Sequence, residues 1–116
     1  MGSDALPVVK GTLELLILKT LARNEELHGF EILDWIEQQS GGALQIEEGA
    51  LYPALHRMEK RGWLESVWGV SEKGRRAKYY RLSPDGRAAH EKETRSWGRY
   101  VDAVAALGPE PGEAQG

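Results

Sequence analysis

The sequence contains no cysteine among its 116 residues. Disulfide bridges and thiolate metal sites are therefore excluded, and the composition fits a reducing cytosol, so we expect a cytoplasmic protein. No apolar run approaches the roughly 20 residues that a membrane-spanning helix needs. Residues 1–10 also lack the basic and apolar regions of a signal peptide. A chain of this size hides only about two-thirds of its unfolded surface, so a partner subunit would help to stabilise it.

The sequence also lacks a net positive charge, since its formal net charge is -3. The charges are nevertheless distributed unevenly along the chain. Residues 56–81 carry eight Lys and Arg against three Glu, a net charge of +5, which leaves -8 on the rest of the chain. A basic segment on an acidic body is typical of a protein that binds a polyanion. The alternative is an ordinary solvated surface.

Apolar spacing predicts a first helix over residues 11–23, with two apolar stripes. One stripe contains Leu13, Ile17 and Leu21, and the other contains Leu15 and Leu18. A helix that is apolar over so much of its circumference must be buried on two sides. We expect a second subunit to cover the stripe of Leu15 and Leu18.

Two more helices are predicted over residues 27–39 and 47–61. Gly29 lies in the first turn of the former, where a close helix crossing could require the missing side chain. Pro53 breaks long helices, so the regular part of the latter is expected to be short or bent there. Gly62 is the expected stop after Arg61.

Residues 63–68 and 77–82 are rich in aromatic and β-branched side chains, and they predict two strands. The polar, glycine-containing segment between them predicts a hairpin longer than a tight turn. Ser83 and Pro84 then form an N-cap and a first helical residue. The last helix is expected to run from about Pro84 to Leu107.

That last helix carries an apolar stripe with little of its own domain left to cover it. Pairing with a second chain would shield these apolar side chains from water. The predicted organisation is a flexible N-terminus (1–9), a DNA-binding domain (10–83), a dimerisation helix (84–107) and a disordered tail (108–116). The predicted dimer interface consists of Leu15, Leu18, Trp97, Tyr100, Val101, Val104 and Leu107.

The order of elements predicts a mainly α fold with a small β-hairpin (α+β), a winged helix-turn-helix with a C-terminal dimerisation helix. The helix-turn-helix pair consists of the predicted helices over residues 27–39 and 47–61. In such a fold the second of these helices enters the major groove of DNA, and the hairpin is the wing. Phosphate oxygens are the natural partners of a cationic wing. The predicted DNA-binding residues are Gly49, Ala50, Tyr52, His56, Arg57, Lys60, Lys73, Arg75, Arg76 and Lys78.

Several segments resemble the PadR family of transcriptional regulators. They are residues 11–18 (GTLELLIL), 27–32 (LHGFEI), 48–59 (EGALYPALHRME), 62–64 (GWL) and 74–83 (GRRAKYYRLS), and the resemblance extends over residues 10–107. It implies a repressor that dimerises through its first and last helices and binds a palindromic operator. It also implies release by a small molecule or a stress signal, and the single C-terminal helix resembles the shorter branch of the family.

The sequence departs from the family pattern at two positions. Ala50 stands where a hydroxyl residue is common, and Phe30 stands where tyrosine is common. One phosphate contact and one phenol are therefore absent.

Some residues keep two interpretations. Tyr52 could donate its hydroxyl to a phosphate or pack in the core, and Trp97 could line a pocket for a planar aromatic effector between two subunits or simply pack in the dimer. Tyr80, Trp35, Trp63 and Trp68 are expected to be structural. The alternative function is a winged-helix module that docks an acidic protein. No cofactor, metal site or catalytic constellation is predicted, and we do not expect an enzyme.

Overall fold

A computed structural model of the chain describes residues 5–6, 8–9 and 11–109. The described residues form four helices and a three-stranded antiparallel sheet in the order β1-β3-β2. The predicted α+β fold is confirmed, with one strand more than the expected hairpin. The elements are α1 (Leu13–Arg23), β1 (Leu27–His28), α2 (Gly29–Gln39), α3 (Glu48–Lys60), β2 (Leu64–Val70), β3 (Arg76–Leu82) and α4 (Pro84–Ala105).

Strand β1 occupies residues that were expected to open the second helix. Leu27 and His28 pair with Tyr80 and Tyr79 of the central strand. The His28 ring nitrogen accepts a hydrogen bond from the Glu31 backbone amide, and the Glu31 carboxylate accepts one from the His28 amide. Because this reciprocal cap satisfies amides that have no helical acceptor, α2 begins at Gly29.

Helix α3 is continuous through Pro53 from Glu48 to Lys60, so the expectation of a short regular segment was wrong, whereas the alternative of a bend stays a prediction. A proline at this position deprives the Gly49 carbonyl of its intrahelical donor. Gly49 and Pro53 are both exposed, so water can reach that carbonyl. The helix ends before Gly62, whose φ of 88° confirms the predicted stop.

The core lies where α1, α2, α3 and the sheet meet. Leu18 is 0% exposed and Leu15 is also buried in the single chain, in which α1 also contacts α4. The prediction that Leu15 and Leu18 form a dimer interface was therefore wrong, because both side chains are already covered within the chain. The largest fully buried side chains are Ile17, Leu18, Ile32, Leu51, Leu55, Met58 and Thr20.

The base of the hairpin is locked to the start of α4. The Ser83 hydroxyl accepts a hydrogen bond from the Gly86 amide over 3.0 Å and donates to the Gly62 carbonyl over 2.5 Å. The predicted N-cap at Ser83 is thus confirmed. Gly86 lies so close to the Trp63 carbonyl that a Cβ there would collide with backbone.

The two predicted flexible termini lie largely outside the described residues, which omit 1–4, 7, 10 and 110–116. Leu6 is described, and its amide donates to the Ala43 carbonyl over 2.7 Å. Among the described residues, no helix is both long and apolar enough to cross a membrane.

Candidate nucleic-acid interface

Helix α3 has one buried and one exposed face. Leu51, Ala54, Leu55 and Met58 point into the core at three- and four-residue spacing. The opposite face is polar and open to solvent. All six residues predicted to bind DNA from this helix are exposed, namely Gly49, Ala50, Tyr52, His56, Arg57 and Lys60.

The hairpin ends in a cationic turn, which we call the wing tip (residues 71–76). The Ser71 amide donates to the Arg75 carbonyl over 2.7 Å, and Gly74 supplies the positive φ of 74° that reverses the chain. Lys73, Arg75 and Arg76 are all exposed. Among the described residues, no carboxylate lies within ion-pair distance of these three side chains.

Arg76 is partly ordered by an aromatic neighbour. Its guanidinium carbon lies 4.5 Å from the centroid of the Trp68 ring, across the β2–β3 ladder. A cation stacked on an indole is stabilised by about 0.5–1 kcal/mol at an exposed site. Trp68 was expected to pack in the core or in the hairpin; it is exposed, and it packs within the hairpin against Arg76.

A groove of about 1030 Å³ separates the wing from the helices. The first turn of α2 and Tyr52 of α3 form one wall, and Trp68, Lys73 and Arg75 belong to the opposite wall. The α2 wall also carries Glu31 and Asp34. The Lys and Arg side chains of the groove therefore all come from the hairpin, which also contributes Glu72.

Lys78 was predicted to contact DNA, but it is already paired inside the chain. Its ammonium lies 3.1 Å from the Glu59 carboxylate, which also accepts a hydrogen bond of 2.6 Å from the Ser66 hydroxyl. These hydrogen bonds, that of Ser66 first, lower the pKa of Glu59, and Glu59 in turn raises the pKa of Lys78. The Glu59 carboxylate thus joins the end of α3 to both strands of the hairpin.

A second ion pair joins α3 to α1. The Arg61 guanidinium donates two hydrogen bonds to the Glu14 carboxylate, over 2.8 and 3.3 Å. Arg57 lies 3.6 Å from the same carboxylate and remains more than half exposed. Arg61 is therefore a structural cation, whereas the Arg57 side chain can still reach a ligand.

Tyr52 combines both of the interpretations left open by the sequence. Its ring packs on Gly29 of α2, yet its side chain is half-exposed in the groove. Burial, and secondly the nearby Glu48 carboxylate, raise the pKa of Tyr52. The phenol therefore keeps its proton at neutral pH and can donate a hydrogen bond.

The second half of α4 presents an apolar stripe to solvent. Trp97 and Tyr100 stack with ring centroids 5.8 Å apart, and Leu107 beyond the helix end is 84% exposed. Exposed apolar patches of this kind usually mark a contact with another molecule. Five of the residues predicted for the dimer interface lie on this surface: Trp97, Tyr100, Val101, Val104 and Leu107.

Sequence reasoning missed the residues that hold the interface in shape. Glu59, Ser66 and Glu14 make contacts between separate elements, and no local spacing pattern signals such contacts. Only the excess of cations around residues 56–81 hinted that some of them would need carboxylate partners. The prediction that Gly29 allows a close helix crossing is confirmed by the Tyr52 ring.

Solved structures share this architecture. A transcriptional regulator from Clostridium thermocellum superposes with a TM-score of 0.78 at 27% identity, covering 87% of this chain and 97% of that one. A PadR-like transcriptional regulator from Bacillus cereus gives a TM-score of 0.72 at 30% identity, covering 87% and 96%. The fold and its cationic hairpin thus define a winged-helix transcriptional regulator.

The family follows from the sequence match. Residues 17–92 match the profile of the transcriptional regulator PadR-like family. A transcriptional regulator of Mycobacterium tuberculosis is 38% identical over 76 residues, which are 65% of this chain and 66% of that protein. The chain belongs to the PadR-like family, whose members are transcriptional regulators that bind DNA and are not enzymes.

Proposed function

We propose that this chain is a homodimeric repressor that binds a palindromic operator. Each subunit would insert the exposed face of α3, around residues 49–57, into the major groove and lay its wing tip on the neighbouring backbone. The observation that carries the proposal is the groove, in which Tyr52 of the exposed α3 face lies together with three cations of the wing tip that have no ionic partner among the described residues. A protein helix fits the major groove of B-DNA.

The charges divide into two roles in this proposal. Lys73, Arg75 and Arg76 are exposed without an ionic partner among the described residues, so they can neutralise phosphates. Each phosphate neutralised adds about 0.9 to the salt slope of binding. Arg57 and His56 lie on the α3 face that would meet base edges, where arginine recognises guanine.

The dimer is supported by the apolar stripe on the second half of α4. A twofold axis through this stripe would bury it against its own copy, and such isologous pairs are the commonest soluble oligomers. The two α3 helices would then meet half-sites about one helical turn, or 34–36 Å, apart. A palindromic operator follows from that symmetry.

We further propose that an aromatic effector binds between the two α4 helices. The stacked rings of Trp97 and Tyr100 offer a flat apolar surface that a planar molecule would extend. An effector there would change the separation of the two α3 helices, so the wings and helices could no longer reach both half-sites. The protein would then leave the operator, as a repressor does on induction.

Selection of bound duplexes from a random pool tests the operator directly. The proposal expects a palindrome whose half-sites are one turn apart, and it expects the DNA upstream of the protein's own gene to shift in a gel. A variant with Arg75 and Arg76 replaced by alanine serves as the control for charge. Enrichment of no sequence, together with binding to an acidic protein, would instead favour the alternative interaction module.

Sedimentation and fluorescence test the dimer and its effector. Wild-type protein should sediment as a dimer, and a bound aromatic compound should quench tryptophan fluorescence. Trp97→Ala should remove that quenching while the dimer survives, whereas Trp68→Phe, away from α4, should leave quenching intact. If Trp97→Ala abolishes only the dimer, Trp97 is a packing residue and the effector site is wrong.

A further inference from the structure

The Tyr52 side chain of α3 packs closely against Gly29 of α2 at the groove. Gly29 is buried in the first turn of α2, and Tyr52 reaches it from α3. A Cβ placed on Gly29 would lie 2.5 Å from the Tyr52 hydroxyl oxygen and 2.6–2.7 Å from two carbons of its ring. The phenol therefore occupies the space that any other residue's side chain would fill.

The requirement for glycine here is steric and local. Gly29 is not among the glycines with positive φ, so its backbone conformation would accept alanine. Gly49 and Gly98, which also lie in helices, have nothing within 4 Å of an added Cβ. The colliding atoms at Gly29 all belong to the far end of one half-exposed side chain, which can swing into solvent without disturbing the core.

We propose that Gly29 is a positioning residue for DNA binding: its missing side chain lets the Tyr52 ring lie against α2, and this aims the Tyr52 hydroxyl at a backbone phosphate. The inference rests on the proposed function, since it names how one contact of that interface is held. An alanine at position 29 would push the ring away from α2 and remove the contact while leaving α2 and α3 in place.

The Tyr52 contact has a signature of its own. The phenol is neutral, so its hydrogen bond to a phosphate displaces no counterion from the DNA. Loss of that hydrogen bond should therefore leave the salt slope of binding unchanged. Loss of a wing-tip arginine, by contrast, lowers that slope by about 0.9. Salt titration therefore separates a displaced tyrosine from a displaced wing.

The experiment is a double-mutant cycle in the full chain on an operator duplex. Gly29→Ala and Tyr52→Phe should each weaken binding about tenfold, the loss expected of one hydrogen bond to a charged acceptor, with unchanged salt slopes. In a Tyr52→Ala background no ring remains to collide, so Gly29→Ala should change affinity less than about twofold. Circular dichroism and sedimentation of every variant confirm that the fold and the oligomeric state are unchanged.

Each result decides the proposal. Full affinity in Gly29→Ala or in Tyr52→Phe would overturn it while the proposed function stands, because wild type still binds. A tenfold loss from Gly29→Ala in the Tyr52→Ala background would also overturn it, by showing that the glycine acts through another contact. If Gly29→Ala does not fold, two measurements still test the proposal: the affinity of Tyr52→Phe, and the comparison of Tyr52→Ala with and without Gly29→Ala. Failure of wild type to bind any duplex would overturn the proposed function itself.

Discussion

The base and the tip of the hairpin belong to the same two strands but are held in different ways. The base (residues 63–66 and 78–83) is fixed to α3 through Glu59 and to α4 through Ser83 and Gly86. The tip carries Lys73, Arg75 and Arg76 into solvent, and it is ordered by its turn, by the end of the β2–β3 ladder and by the Trp68 ring. Packed contacts thus accumulate at one end of the hairpin and available charge at the other.

This difference separates two kinds of cation that look alike in the sequence. Lys78 and Arg61 neutralise carboxylates of the same chain, so they contribute to the shape of the molecule. The cations of the wing tip have no such partner among the described residues. Variants at the base should therefore change stability, and variants at the tip should change binding.

The largest effect is expected from Gly86→Ala at the base. The new Cβ would meet the Trp63 backbone oxygen, which cannot move aside as a flexible side chain can. We expect the free energy of unfolding to fall by about 3 kcal/mol, as in severe overpacking. Urea unfolding measures it, with Gly98→Ala as a control that has open space; equal stability of the two variants would show that the base is not rigid.

The next largest effect should appear at the tip. Replacing Arg75 and Arg76 by alanine removes two exposed charges, so DNA affinity in low salt should fall on the order of a hundredfold. The salt slope should fall by about 1.8, while stability should fall by no more than about 1 kcal/mol, the value of the stacking of Arg76 on Trp68. Fluorescence anisotropy at several salt concentrations measures both. An unaltered slope would remove the wing tip from the interface.

A smaller effect is expected from Glu59→Gln, which keeps an acceptor for Ser66 but removes the charge facing Lys78. Stability at pH 7 should fall by about 1 kcal/mol. Because the pKa of Glu59 is lowered below the ordinary value of 4.5 in the folded state, its contribution is present above that value and is lost as the pH falls through the folded pKa. The gap between wild type and Glu59→Gln should therefore close in acid. A gap that stays unchanged after the pH has fallen far enough to protonate Glu59 in the folded protein would argue against the ion pair.

The smallest effect on binding is expected from Lys78→Gln, the matched control for the wing tip. Lys78 is paired with Glu59, so its loss should change the salt slope by much less than the 0.9 or so of a phosphate contact. The same titration measures it. A decrease of the salt slope by about 0.9 would show that Lys78 contacts a phosphate. The base of the hairpin would then bind DNA as the tip does.

Much of the fold could be predicted because its signals are local. The stop at Gly62, the cap at Ser83 and the apolar spacing of α3 each follow from neighbouring residues. The start of α2 could not be predicted in this way. His28 acts as a cap through its ring nitrogen while its backbone joins the sheet, and the sheet partners Tyr79 and Tyr80 lie more than fifty residues further along the chain.

The candidate site was predictable in composition but not in pairing. The exposed face of α3 and the cationic hairpin were evident from spacing and charge. Contacts between α3, α1 and the sheet determine which cations are already paired with a carboxylate of the same chain, as Lys78 is. Leu18 shows the same limit for apolar residues, since a stripe that needs cover does not reveal whether the same chain or another subunit supplies it.

Sedimentation of a dye-labelled operator duplex with wild-type protein, in about 50 mM salt where backbone contacts are strong, tests the central claim most directly. The account predicts a complex that contains two chains per duplex and dissociates steeply as salt is added. A duplex that sediments alone while the protein remains a single subunit would contradict it.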